Sequence, residues 1–142
     1  MSRLLNRFGV VDFEATDKHN LKAIEDLKIK VSDRKTQLAN NLSGGNQQKV
    51  VFGKWVMNDP KIFILDEPTR GVDVGAKFEI YSIIVELAKK GSAVLFISSE
   101  IEELIGTCDR ILVMKNGRVT GDIAKPDYDQ EKILELAMLG GN

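Results

Sequence analysis

A lone cysteine, Cys108, and a lone histidine, His19, among 142 residues exclude an internal disulfide and leave no Cys/His framework for a structural metal. Such cysteine usage suits a reducing, cytoplasmic setting. His19 lies in a polar stretch of helical pattern and belongs to no motif, so it reads as a surface residue. Neither sign of charge dominates: 20 basic against 21 acidic residues give a net charge of -1, which offers no overall field to nucleic acid or an anionic membrane. The most apolar runs, such as Ala93-Val94-Leu95-Phe96-Ile97, fall far short of the roughly 20 residues that span a bilayer, so any membrane role is peripheral. The opening residues Met1-Ser2-Arg3-Leu4-Leu5-Asn6-Arg7 contain no apolar core long enough for a secretory signal. Internal repeats and low-complexity segments are also absent.

What is present has the balance of one globular domain, with 43% hydrophobic and 29% charged residues. Up to about residue 58 the pattern is helical: Leu21, Ile24 and Leu27 recur at helical spacing, and Val51 and Trp55, with Asn58, share a later face. The pattern then changes. Ile62-Phe63-Ile64-Leu65 predicts a buried strand, followed by a loop and a helix with Phe78, Tyr81, Val85 and Ala88 on one stripe, closed by Gly91 as C-cap. A second strand over 93–97 follows, and strand-helix-strand order of this length implies parallel pairing through a right-handed crossover. Beyond it the sequence predicts a short helix over about 100–105. A hairpin turned by Asn116-Gly117 comes next, and a last helix over about 130–139 ends before Gly140-Gly141. This is an α/β architecture. Two or three strands are few for a parallel sheet, which normally has both faces covered, so the sheet is expected to be incomplete, with missing strands upstream of residue 1 or supplied by another chain.

Two short strings carry chemistry. In Leu42-Ser43-Gly44-Gly45-Asn46-Gln47-Gln48, Ser43 can cap a helix whose glycines let backbone N–H groups approach an anion at the positive helix end. Taken alone, the string also fits a plain capped helix with a glycine turn. Eighteen residues beyond Gly44, the strand starting at Ile62 delivers Asp66 and Glu67 at its carboxyl end, the edge where parallel sheets bind ligands. Adjacent carboxylates there suit magnesium-nucleotide chemistry, one holding the metal through water and the other polarising an attacking water. Taken alone, Asp66-Glu67-Pro68 also fits an acidic turn that merely ends a strand.

Together the strings resemble the ABC transporter nucleotide-binding domain. Leu42 to Gln48 is similar to the ABC signature, Ile62 to Glu67 to a Walker B strand ending in the catalytic glutamate, and Gly71-Val72-Asp73 to the D-loop, in matching order and spacing. The resemblance extends from about Leu27 onward. It implies an α/β, partial P-loop NTPase fold: a helical signature segment (about 1–58) followed by an incomplete, mainly parallel sheet with helices (about 59–142). It further implies ATP and Mg2+ as ligands, Asp66 on the metal and Glu67 as the catalytic carboxylate. Ser43, Gly44, Gly45 and Gln47 would serve the γ-phosphate of ATP held by a partner half, with Asp73 in the D-loop. The fuller strings Asn41 to Val50 and Asp66 to Ala76 are similar to importers of ribose, galactose and xylose, closest to the second of two nucleotide-binding halves in one polypeptide. Glu67 favours this over nucleoside importers, which often carry glutamine there. The resemblance implies transmembrane permease subunits and, indirectly, an extracellular sugar-binding protein as partners, no nucleic acid, and a cytoplasmic place on the inner face of the membrane.

The chain departs from that pattern in three places. No Gly-x-x-x-x-Gly-Lys-Ser/Thr string occurs, and Gly53-Lys54-Trp55 lacks the upstream glycine and the hydroxyl. The main cradle for the β- and γ-phosphates is therefore missing, and the chain alone is expected to be inactive. Nothing upstream of the signature resembles a Q-loop. Where most ABC domains place a switch histidine, the sequence reads Ser98-Ser99-Glu100. Ser99 takes the switch position as a neutral donor, and it also fits a helix N-cap. Two other functions remain open at this stage: a non-catalytic binding or dimerisation module, and an ABC ATPase acting on ribosomes or DNA, for which the expected insertions or basic patches are absent. The sugar is not specified by these residues.

Overall fold

The computed structural model describes residues 10–34 and 36–139; the first seven residues and Gly140-Gly141, read above, lie outside them. The main elements are α1 (Phe13–Asp26), α2 (Gly44–Val56), β1 (Ile62–Asp66), α3 (Val74–Lys89), β2 (Ala93–Ile97), α4 (Ile101–Thr107), β3 (Arg110–Lys115), β4 (Arg118–Ala124) and α5 (Gln130–Leu139). The chain divides into two compact units, Met1–Phe63 with Thr69–Val94, and Ile64–Pro68 with Leu95–Asn142. This division of packing differs from the segments of about 1–58 and 59–142 drawn on the sequence, because α3 packs with α2.

In the first unit, Asp12 caps α1 by accepting from Ala15 N at 3.0 Å. The buried face of α2 is Gly45, Lys49, Phe52 and Gly53, not the predicted face of Val51 and Trp55, and Trp55 is 63% exposed. Two glycines explain the choice. A Cβ on Gly45 would lie 2.4 Å from the Cβ of Ala76, and one on Gly53 would lie 3.2 Å from Leu27 Cδ1, so this face lets other segments approach more closely than Val or Trp would permit. On α3 the buried stripe is Ile80, Ile84 and Leu87. The predicted stripe is off it: Phe78 is exposed and stacks edge-to-face on Tyr81 at 5.9 Å. Gly91, at φ 93, ends the helix as expected, its N–H reaching Ala88 O at 2.9 Å.

Strands β1 and β2 are neighbours, and the hydrogen bonds Ala93 N to Lys61 O (2.8 Å) and Glu67 N to Ile97 O (2.9 Å) run from the same end of each strand, making the pair parallel. Ile62, Ile64, Leu95 and Ile97 remain exposed, so among the described residues one apolar side of this small two-stranded sheet is uncovered.

The second unit contains an antiparallel pair of its own, β3 with β4. Asn116 (φ 49) and Gly117 (φ 77) make its turn, the left-handed pair that two-residue hairpins require. A bulge between Val113 and Met114 frees Thr120, whose hydroxyl donates to Leu136 O at 3.0 Å. Ile111, Val113, Ile123 and Ile133 form the buried cluster, with Ile101, Leu104, Cys108 and Tyr128 packed against it. The described sheets are therefore one parallel and one antiparallel pair.

Candidate functional site

Strand β1 carries Asp66 and Glu67 to its carboxyl end, where Asp66 is exposed and Glu67 half-buried. Glu67 has φ 46, a left-handed backbone that costs a branched or long side chain on the order of 1–3 kcal/mol and persists only where neighbours over-determine it. Those neighbours are visible. Its N–H donates to Ile97 O, and its Oε1 accepts from the N–H of Ser99 at 2.8 Å. The structure thus joins the candidate catalytic carboxylate to Ser99, the residue expected at the switch position. Ser99 is exposed, and it is not the N-cap of α4. That position belongs to Glu100, whose N–H donates to Ser98 Oγ at 3.0 Å.

The signature string forms the start of α2. Ser43 has the extended backbone of an N-cap (φ -60, ψ 154) but makes no side-chain capping bond; its Oγ instead accepts from Asn46 Nδ2 at 2.9 Å. Asn46 Oδ1 in turn accepts from Lys30 N at 2.9 Å. The Gln47 amide folds back on its own approach loop, donating to Leu42 O at 2.8 Å and Asn40 O at 3.3 Å. Gly44 is exposed, and a Cβ there would meet only Gly71 O at 3.7 Å, whereas Gly45 is buried against Ala76. Of the two glycines, Gly44 leaves backbone accessible and Gly45 admits close packing. The loop carrying Gly71-Val72-Asp73 lies beside this start: Val72 N reaches Thr69 O at 3.2 Å with Gly71 at φ 74, a tight turn, and Asp73 caps α3 by accepting from Ala76 N at 3.0 Å. Ser43, Gly44, Gly45, Gln47 and Asp73 belong to the first unit; Asp66, Glu67 and Ser99 belong to the second.

Four residues at these sites escaped the sequence reading. Lys49 is 1% exposed; its Nζ donates to Lys28 O at 3.1 Å and forms an ion pair with Glu79 of α3. The hydrogen bond from Lys49 holds the Glu79 carboxyl below its ordinary 4.5, against a smaller opposing effect of burial. The signal was available in the spacing Gly45, Lys49, Phe52, one helical face, but glycine and lysine contribute nothing to an apolar count. The other pair is Ser98 and Glu103. Ser98 Oγ donates to Glu103 Oε2 at 2.9 Å, and Glu103 is 5% exposed, which its place in an acidic run did not suggest. His19, expected at the surface, is half-buried and lines a cavity of about 320 Å3 with Asp26, Asp59 and Lys90 among others.

A single exposed carboxylate beside a second one fits Mg2+, which retains most of its waters and takes one or two carboxylates rather than a full protein cage. Among the described residues there is no cluster of three metal-ligating side chains. None of the described helices is long and apolar enough to cross a membrane.

Residues 2–70 match the ABC transporter family model. The chain is 50% identical over 136 residues to the xylose import ATP-binding protein of Thermoanaerobacter pseudethanolicus, covering 96% of this chain and 27% of that protein. It is 49% identical over 134 residues to the galactose/methyl galactoside import ATP-binding protein of Escherichia coli, covering 94% of this chain and 26% of that one. The chain therefore spans about a quarter of the length of the curated relatives it matches. Among solved structures it resembles an ATP-binding cassette of an ABC transporter in its ADP conformation, with a TM-score of 0.70 and 29% identity over 93% of this chain and 49% of that one. It shares its fold with a dimeric cassette bound to ADP and Pi, at a TM-score of 0.71 and 23% identity over 87% of this chain and 52% of that one.

Proposed function

Because this chain carries ABC transporter domain sequence and the fold of an ATP-binding cassette, we propose that it is part of the ATP-binding component of a sugar importer, coupling ATP binding and hydrolysis to transport in the full assembly. The observation that carries this reading is the Glu67–Ser99 contact at the carboxyl end of β1, with Asp66 exposed beside it. In that role Asp66 would hold Mg2+, and Glu67 would orient and polarise the attacking water. Bound magnesium supplies neutralisation of phosphate charge. Ser99 holds the Glu67 carboxylate through its amide and presents a neutral hydroxyl where a histidine would present a titratable ring.

Residues 1–142 are read as the C-terminal part of one nucleotide-binding domain, with the signature segment over about 1–58 and the Walker B, D-loop and hairpin part over about 59–142. Ser43 and Gly44 face ATP on the partner half. Gln47 acts by fixing the loop before the helix, Gly45 by packing, and Asp73 by capping the helix after the D-loop. The partners are that other half and the transmembrane permease, with an extracellular sugar-binding protein acting through the permease, and the place of action is the cytoplasmic face of the membrane. Half-identity to xylose and galactose import proteins supports a sugar as cargo.

The absent phosphate-binding string favours a second, narrower reading of the isolated chain as a module that lends its signature to another half. Both are tested in the full-length protein assembled with its permease in vesicles. Gly44→Asp is expected to harm sugar-stimulated transport more than Ser99→Ala. The reverse ranking would count against a signature that serves a partner's ATP.

A further inference from the structure

We propose that Glu103 is a positioning residue for Glu67, acting through Ser98 and the amide of Ser99; the inference rests on the reading of Glu67 as the water-polarising carboxylate. Burying a carboxylate is costly unless hydrogen bonds meet it, and α4 already supplies Ile101 and Leu104 to the apolar cluster, so packing gives no reason for an acid at 103. Glu103 holds the Ser98 hydroxyl. Its Oε2 accepts from Ser98 Oγ at 2.9 Å, and the same Oγ accepts from Glu100 N at 3.0 Å. The hydroxyl's donor and one of its acceptor sites are thereby engaged.

The turn around residue 99 is consequently fixed from both sides. Glu103 N donates to Glu100 O at 3.1 Å, while Ile97 O accepts from Glu67 N at 2.9 Å. Between these anchors the Ser99 N–H donates to Glu67 Oε1 at 2.8 Å. The order of dependence is Glu103, Ser98, the Ser99 amide, Glu67. All of these residues belong to the second compact unit. A placement at the first turn of α4 also favours a negative side chain, because the helix amides there carry partial positive charge.

The test uses the full-length protein that carries this chain, labelled with nitrogen-15, and measures hydrogen exchange of the Ser99 amide by NMR. Ser98→Ala and Glu103→Ala are each expected to speed that exchange about tenfold, the worth of one ordered hydrogen bond, with the Ile111 and Val113 amides unchanged. Glu103→Gln should restore protection, because its amide oxygen still accepts from Ser98 Oγ. Exchange at Ser99 within about twofold of the parent chain in Ser98→Ala overturns the proposal. So does a Glu103→Ala chain in which Ile111 and Val113 lose protection together with Ser99, since that marks a purely structural role. The underlying reading fails separately: if Glu67→Gln leaves turnover of the assembled ATPase unchanged, Glu67 is not the water-polarising group, whatever the exchange data give.

Discussion

The ammonium of Lys49, 1% exposed inside the signature helix, is ion-paired with Glu79 of α3 and also donates to Lys28 O at 3.1 Å. One side chain thus ties α2 to α3 and to the chain just after α1. Its removal takes away both the ion pair and the part-buried bond to Lys28 O, so Lys49→Met is expected to lower stability by about 1–3 kcal/mol, measured by urea unfolding.

The same pair gives a pH dependence. Glu79 is held below its ordinary 4.5 in the folded chain, so its contribution is fully present above that value and is lost as pH falls through the depressed one. With 43% of the Glu79 side chain exposed, solvent screening keeps the effect modest. In Glu79→Gln the urea midpoint should be lower at pH 7 and should fall less steeply below about pH 4.5 than in the parent chain. An unchanged acid slope would show that other carboxylates govern it.

The two signature glycines should separate by experiment. Gly45→Ala places a Cβ 2.4 Å from that of Ala76 and is expected to destabilise by about 1–3 kcal/mol through overpacking. Gly44→Ala meets only ordinary contact at 3.7 Å, so its stability should stay within about 1 kcal/mol of the parent, on either side of it. Equal losses in thermal or urea unfolding would contradict the packing described for α2 on α3.

In the assembled ATPase, Glu67→Gln should cut kcat about a hundredfold or more, the range for a general base, with little change in KM for ATP. Phosphate release at saturating ATP checks it. A matching rise in KM would instead assign Glu67 to nucleotide binding.

Burial, aided by the neighbouring Asp109 carboxylate, pushes the Cys108 thiol above its ordinary value. Little thiolate then exists at neutral pH, and a disulfide reagent should react with the folded chain about tenfold or more slowly than with the chain in urea.

Much of this was legible in the residues themselves. A helix start at Ser43 to Gly45 and carboxylates at a strand end, Asp66-Glu67, were readable from local chemistry, whereas their likeness to a signature, a Walker B strand and a D-loop came from the family resemblance of the strings in that order. The Asn116-Gly117 turn and the Gly91 cap were equally readable, since both demand positive φ. Other features were settled only by packing. Helix α3 has apolar residues on several sides, so Phe78 and Tyr81 look as suitable for the core as Ile80 and Ile84 until a partner surface selects one stripe. On α2 that partner surface selected a face of two glycines and a lysine, where close approach and a paired ammonium outweigh the hydrophobicity of Val51 and Trp55. The contact of Glu67 with Ser99, and the burial of Glu103 beneath it, join residues 32 positions apart in the first case. No local pattern encodes such a meeting, because it depends on which strands pair and which backbone amide the resulting turn leaves free to donate.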